Sequence, residues 1–136
     1  MAFVLDASVA LAWLIDSERM VATDALLDRA AVEGVVAPSL LIYEIANRLG
    51  RAVRTGELSR DQAHETLRFF TSLDLEFVQL HTLALVDSTV DTGLTSYDAA
   101  YLQVASTRGA PLATLDRKLR AAAEAAGVAV LPERIS

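Results

Sequence analysis

Four carboxylates stand where acids could act together: Asp6 at the end of the apolar run Phe3-Val4-Leu5, Glu44 in the apolar stretch Leu40 to Ala46, Asp98 three residues after Thr95, and Asp116 two after Thr114. A charge among apolar neighbours, as at Glu44, is costly without a partner. Ionised carboxylates brought close together repel, and some take up protons unless helix N-termini or a cation offset the charge. With no cysteine in the chain, a hard all-oxygen ligand set suits Mg²⁺ or Mn²⁺ rather than zinc, and Mg²⁺ usually keeps waters that substrate phosphates can replace. Hydroxyls occur at matching offsets. Ser8 lies two residues after Asp6 and Thr114 two before Asp116, each able to orient a carboxylate or hold a metal-bound water. Asn47 shares a helix face with Glu44. His64 and His81 fall away from the acids in the pattern and are left out of the chemistry.

Each acid also has an ordinary structural role. Asp6 and Asp116 can cap the helices that follow them, Asp98 has the Thr-x-x-Asp spacing of a capping box with Thr95, and Glu44 can pair with Arg48 one turn on. What sets them apart is their joint placement at strand ends and helix starts.

The elements that must position them read as follows. A run of four or five apolar residues ending at Asp6 fits a strand buried on both faces. Helical spacing follows through Val9 to Ile15, and a second helix runs from about Met20 to Val32 with Gly34 as its stop. Val35-Val36-Ala37 is a second buried strand. Pro38 and Ser39 open a helix from Leu40 to about Thr55, ended by Gly56. Ser59 and Gln62 form a capping box for a helix to about Leu73. Leu75 to Leu80 alternates as a strand nearer the sheet edge, and His81 to Thr92 is helical up to Gly93. Thr95 or Ser96 caps a helix to about Arg108. Leu112-Ala113-Thr114 is a strand, Arg117 to Ala126 a helix, and Val128 to Leu131 a last strand. Strands alternating with helices imply a three-layer α/β/α sandwich on a central, mostly parallel sheet of four or five strands, occupying residues 1–136 as one domain. In such sheets ligands bind beyond the carboxyl ends of the strands, where Asp6 and Asp116 would stand.

Composition bounds the alternatives. The net charge of −6 argues against a nucleic-acid binder held by bulk electrostatics. Without cysteine there is no disulfide and no thiolate nucleophile. No signal peptide is evident, and the Val9–Ile15 stretch is too short to span a bilayer, so a cytoplasmic protein without a membrane partner is expected.

Val4-Leu5-Asp6-Ala7-Ser8, Glu44 after Pro38-Ser39-Leu40-Leu41, the segment Leu94 to Leu102 around Asp98, and Leu112-Ala113-Thr114-Leu115-Asp116 together resemble a PIN-domain ribonuclease, and more narrowly the VapC-type toxins of toxin–antitoxin pairs. The resemblance runs over nearly the whole chain in order. It implies that Asp6, Glu44, Asp98 and Asp116 are the metal-binding acids, with Ser8 and Thr114 in support, and that Mg²⁺-assisted hydrolysis of RNA phosphodiesters is the reaction. It also implies a small antitoxin covering the cleft and a homodimer of the toxin. RNA contact can then rest on local arginines. Arg48, Arg51 and Arg54 recur at helical spacing, and Arg117, Lys118 and Arg120 flank Asp116.

Two rivals fail on residues. A receiver domain needs adjacent acids after the first strand and a lysine at a late strand end, and a haloacid-type phosphatase needs an aspartate where this chain has Ser8. The remaining alternative is a non-catalytic PIN-like domain that binds RNA or a partner without turnover.

Overall fold

A computed structural model describes residues 1–135, with five strands in one sheet: β1 Phe3–Leu5, β2 Val35–Ala37, β3 Leu75–Phe77, β4 Leu112–Ala113 and β5 Val130–Leu131. Their order is β3-β2-β1-β4-β5 and every pairing is parallel. Parallel neighbours need long crossovers, which the described residues supply as helices α1 Ala7–Leu14, α2 Val21–Glu33, α3 Leu40–Arg54, α4 Arg60–Thr71, α5 Thr82–Thr92, α6 Ser96–Arg108 and α7 Arg117–Ala125. The sandwich expected from the alternation is therefore present, with all five strands parallel.

Right-handed crossovers put α1 to α4 on one face and α5 to α7 on the other, because the chain steps from β1 through β2 to β3 and then jumps back past β1 to β4. The packing agrees: α1 touches α2 and α3, and α3 touches α4, whereas α6 packs on α5, α7, β1, β2 and β4. Phe3, Val4 and Leu5 of the central strand are fully buried, as the uninterrupted apolar run requires. Val4 lies opposite Val36 on one side and Leu112 on the other.

Several boundaries move from the sequence reading. The first helix begins at Ala7, since Asp6 caps it, and the polar stretch Asp16–Glu18 winds into a 3₁₀ turn. β3 stops at Phe77 rather than Leu80, because its only neighbour, β2, is three residues long and its last ladder bond runs from the Val78 amide to the Ala37 carbonyl. β5 shrinks to Val130–Leu131 against the two-residue β4. The Ser59–Gln62 capping box and the Thr95 cap are both formed. Gly34 ends α2 at φ 78° and turns the chain into β2; a Cβ there would sit 2.9 Å from Asp74 Oδ2, so the close approach and the backbone angle both call for glycine.

β1 and β4 are neighbours whose chains leave in opposite directions, one toward β2 and the other toward β5. This is the topological switch point, and the crevice beyond it is where open α/β sheets bind ligands. Asp6 and Asp116 stand at its two lips.

Candidate active site

Asp6 is buried directly beyond β1. Its amide donates to the Ala113 carbonyl at 3.2 Å, so the first residue past β1 is still stitched to β4. Its Oδ1 accepts the Val9 amide at 3.1 Å as the cap of α1, and the Ser8 hydroxyl at 2.6 Å. Burial pushes the Asp6 carboxyl from its ordinary 3.8 up to about 6; the Ser8 and Thr114 hydroxyls and the Val9 amide pull the other way, and the charge of Glu44 adds to the rise. The cap and the Ser8 bond both use Oδ1 of the carboxylate.

Ser8 also accepts the Leu115 amide at 2.8 Å, and buried Thr114 accepts the Asp116 amide through Oγ1 at 3.1 Å. The two hydroxyls thereby fix the loop after β4 against the loop after β1. Asp116 itself is exposed and caps α7, its Oδ1 accepting the Leu119 amide at 3.0 Å.

Glu44 is half-buried on α3 and does not pair with Arg48. Its Oε1 accepts the hydroxyl of Tyr101 on α6 at 2.5 Å. Burial raises the Glu44 carboxyl, the Tyr101 bond lowers it, and the charge of Asp98 raises it again. Tyr101 is buried, and its hydroxyl is held protonated by desolvation, the Glu44 bond and the nearby charges of Glu44 and Asp6. The tyrosine was absent from the sequence-derived site. The available signal was its position three residues after Asp98, one turn along the same helix face.

Asp98 sits in the first turn of α6, its amide capped by Thr95 Oγ1 at 3.2 Å. Burial raises its carboxyl, the charge of Asp116 raises it further, and Lys118 opposes. The four acids therefore feel one another in sequence around the crevice, Asp6 with Glu44, Glu44 with Asp98, and Asp98 with Asp116.

They are not drawn into a tight chelate. Among the described residues, no three acid or histidine side chains are grouped closely enough to hold an ion as they stand. The physical reason is visible in their partners: like charges repel, and Asp6, Glu44 and Asp116 each turn an oxygen to a protein donor instead. The donor set, all oxygen and with mutual repulsion unrelieved, still fits the chemistry of a hard divalent cation.

The arginines divide. Arg48 is bound to Glu18 at 3.0 Å and to Glu57 at 3.1 Å, with its side chain only 13% exposed, so its charge is spent within the protein and does not stand free for RNA. Arg120 is buried against backbone carbonyls, which corrects its reading as a flanking surface charge. Arg51 and Arg117 are in no ion pair among the described residues. Arg51 and exposed Asn47 line, with Glu44, a depression of about 300 Å³. His64 lies in a separate groove between α3 and α4.

Compared with known proteins, residues 3–125 match the family model described as the PIN domain. The chain belongs to the PIN-domain family. It is 33% identical over 126 residues to Ribonuclease VapC3 of Pyrobaculum aerophilum, an alignment covering 88% of this chain and 92% of that one. It also superposes on the crystal structure of PAE2754 from Pyrobaculum aerophilum with a TM-score of 0.75 at 27% identity, covering 96% of this chain and 90% of the other. The resemblance to VapC-type PIN domains drawn from the four motifs accordingly holds over the length of the chain.

Proposed function

We propose that this PIN domain is a metal-dependent endoribonuclease, the toxin of a VapBC-type pair, hydrolysing RNA phosphodiester bonds at the β1/β4 switch point. The observation that carries the reading is the Asp6–Ser8–Leu115 connection, which builds a buried acid into the joint between the two strands where such sheets bind ligands. The curated relative named a ribonuclease supports it.

Asp6, Glu44, Asp98 and Asp116 would hold the ion, Mg²⁺ or Mn²⁺. Bound there, a divalent cation supplies charge neutralisation on the phosphate and a water acidified toward hydroxide. The protein's own residues would orient the ligands: Ser8 and Thr114 act on Asp6, Tyr101 on Glu44, and helix caps hold Asp98 by its amide and Asp116 by its carboxylate. Arg51, which lines the depression with Glu44, and Arg117, which follows Asp116, would meet substrate phosphates.

On the same reading an antitoxin segment covers this cleft in the cytoplasm, and the toxin is a homodimer. Leu83, Val86 and Val90 lie exposed along one line of α5, a helix with no buried residue, which supports a protein surface docking there. No described helix is long and apolar enough to cross a membrane.

The loose spacing of the acids favours a second reading, a PIN-like domain that binds RNA or a partner without turnover. One experiment separates them. Purified protein free of any partner is expected to cleave single-stranded RNA with Mg²⁺ or Mn²⁺, to stop in chelator, and to lose activity in Asp6→Asn and Asp98→Asn while staying folded. Cleavage surviving chelator or either variant refutes the mechanism, and binding without cleavage supports the second reading.

A further inference from the structure

Among the described residues, Arg19, Arg29, Arg48, Arg68 and Arg108 are each bound to a carboxylate. Of the six left without one, Arg51, Arg54 and Arg60 lie on α3 and α4, and the other three gather around α7. A groove of about 370 Å³ is lined by Arg117, Arg120, Ala121, Glu124, Arg134 and Ile135. Three guanidiniums against the single carboxylate of Glu124 leave it positive, in a chain whose net charge is −6.

Arg120 gives the groove its construction. Its Nη1 donates to the carbonyls of Thr114 at 2.9 Å and Leu131 at 3.3 Å, and its Nη2 to those of Pro132 at 2.6 Å and Glu133 at 3.3 Å. The buried side chain thus straps the residues before Arg134 to the loop that carries Asp116. Among the described residues its charge meets carbonyl dipoles and no carboxylate, and burial leaves its field less screened than that of a surface arginine. Exposed Arg117, the first residue of α7, follows Asp116 directly, and exposed Arg134 faces the same groove, so two free forks stand over a fixed positive floor. Guanidinium forks match phosphate oxygens in bidentate geometry.

We propose that Arg117 and Arg134, set over the buried guanidinium of Arg120, form a phosphate subsite that receives the backbone of single-stranded RNA where it passes Asp116. The inference deepens the nuclease reading and rests on it. It gives an acidic protein a local track for a polyanion, and it places a flanking phosphodiester on the β4–β5 side of the crevice.

The test is binding of a fluorescein-labelled oligoribonucleotide of random sequence, measured in chelator by anisotropy across a series of salt concentrations. Three full-length proteins are compared: wild type, Arg117→Gln/Arg134→Gln, and Arg60→Gln/Arg68→Gln on α4 as a charge-matched control, each checked for an unchanged melting curve. Loss of two phosphate contacts is expected to weaken binding roughly tenfold and to flatten the dependence of log K on log salt by about one to two, with the α4 control behaving as wild type. An unchanged affinity and slope in the α7 variant, or an equal loss in the α4 control, overturns the subsite while leaving the nuclease reading intact. Wild-type protein that shows no salt-dependent binding to RNA in chelator overturns the subsite, and the nuclease reading falls separately if no RNA is cleaved with Mg²⁺ or Mn²⁺.

Discussion

The hydroxyl of Ser8 and the amide of Leu115 are bonded across 107 positions of chain, at 2.8 Å, while the same hydroxyl donates to Asp6 at 2.6 Å. One small side chain therefore both orients a buried carboxylate and closes the sheet's switch point.

Replacing it should show both effects. Ser8→Ala leaves the Leu115 amide without its acceptor and removes one of the donors to Asp6, which by the usual cost of a stranded polar group lowers stability by about 1–3 kcal/mol. Urea denaturation in chelator measures this, and RNA cleavage should fall along with it. A Ser8→Ala protein as stable as wild type would show that the joint is held elsewhere.

Tyr101→Phe removes only the hydroxyl that holds Glu44. Loss of a hydrogen bond that orients a ligand typically weakens metal affinity or activity about 10- to 100-fold. The check is the rise in melting temperature on adding Mn²⁺, which should shrink in the variant at ion concentrations that stabilise wild type. If Mn²⁺ stabilises both proteins equally, Glu44 needs no such anchor.

Asp6 makes the metal-free protein sensitive to pH. Its carboxyl titrates near 6 in the folded chain against 3.8 as an ordinary aspartate, so between those values the folded form holds the extra proton. Stability then falls as pH rises through that window, by an amount on the order of 3 kcal/mol, and the loss is complete above the folded value. Glu44 and Asp98 are raised as well and act in the same direction. Asp6→Asn keeps the cap of α1, since asparagine caps as well as aspartate, and abolishes the titration. In chelator near neutral pH the variant is expected to be more stable than wild type although it is inactive. Urea midpoints for the two proteins from pH 4 to 7 decide this; parallel curves would mean that Asp6 ionises freely.

The exposed line on α5 leads to a fourth expectation. Val86→Glu should shift the protein from dimer to monomer in sedimentation without lowering its stability in urea by more than about 0.5 kcal/mol, the usual scale for a surface change. A wild-type protein that is already monomeric removes the basis for it.

The sequence revealed most of the frame and part of the site, for reasons that can be named. Phe3-Val4-Leu5 and Val35-Val36-Ala37 are buried in the middle of the sheet, so their unbroken apolar runs announce them, and the caps at Asp6, Ser59, Thr95 and Asp116 are local patterns that survive into the fold. The lengths of β3 and β5 were not legible because each is limited by its neighbour's length. Arg48 looked free because Glu18 and Glu57, which neutralise it, lie 30 and 9 residues away. Tyr101 does not stand out within the segment around Asp98, since nothing local shows that its hydroxyl meets an acid 57 positions earlier.

The strand order also decides when this site can exist during synthesis. β1 lies between β2 and β4, so the strand that leads into Asp6 is made before either neighbour and gains the second only when Leu112 and Ala113 have been translated. A nascent polypeptide that has emerged only as far as α5 lacks Asp98, Asp116 and the Leu115 amide that Ser8 awaits. On the proposed reading, the ribosome that builds this protein is therefore not exposed to a working nuclease until β4 and the loop carrying Asp116 have been made.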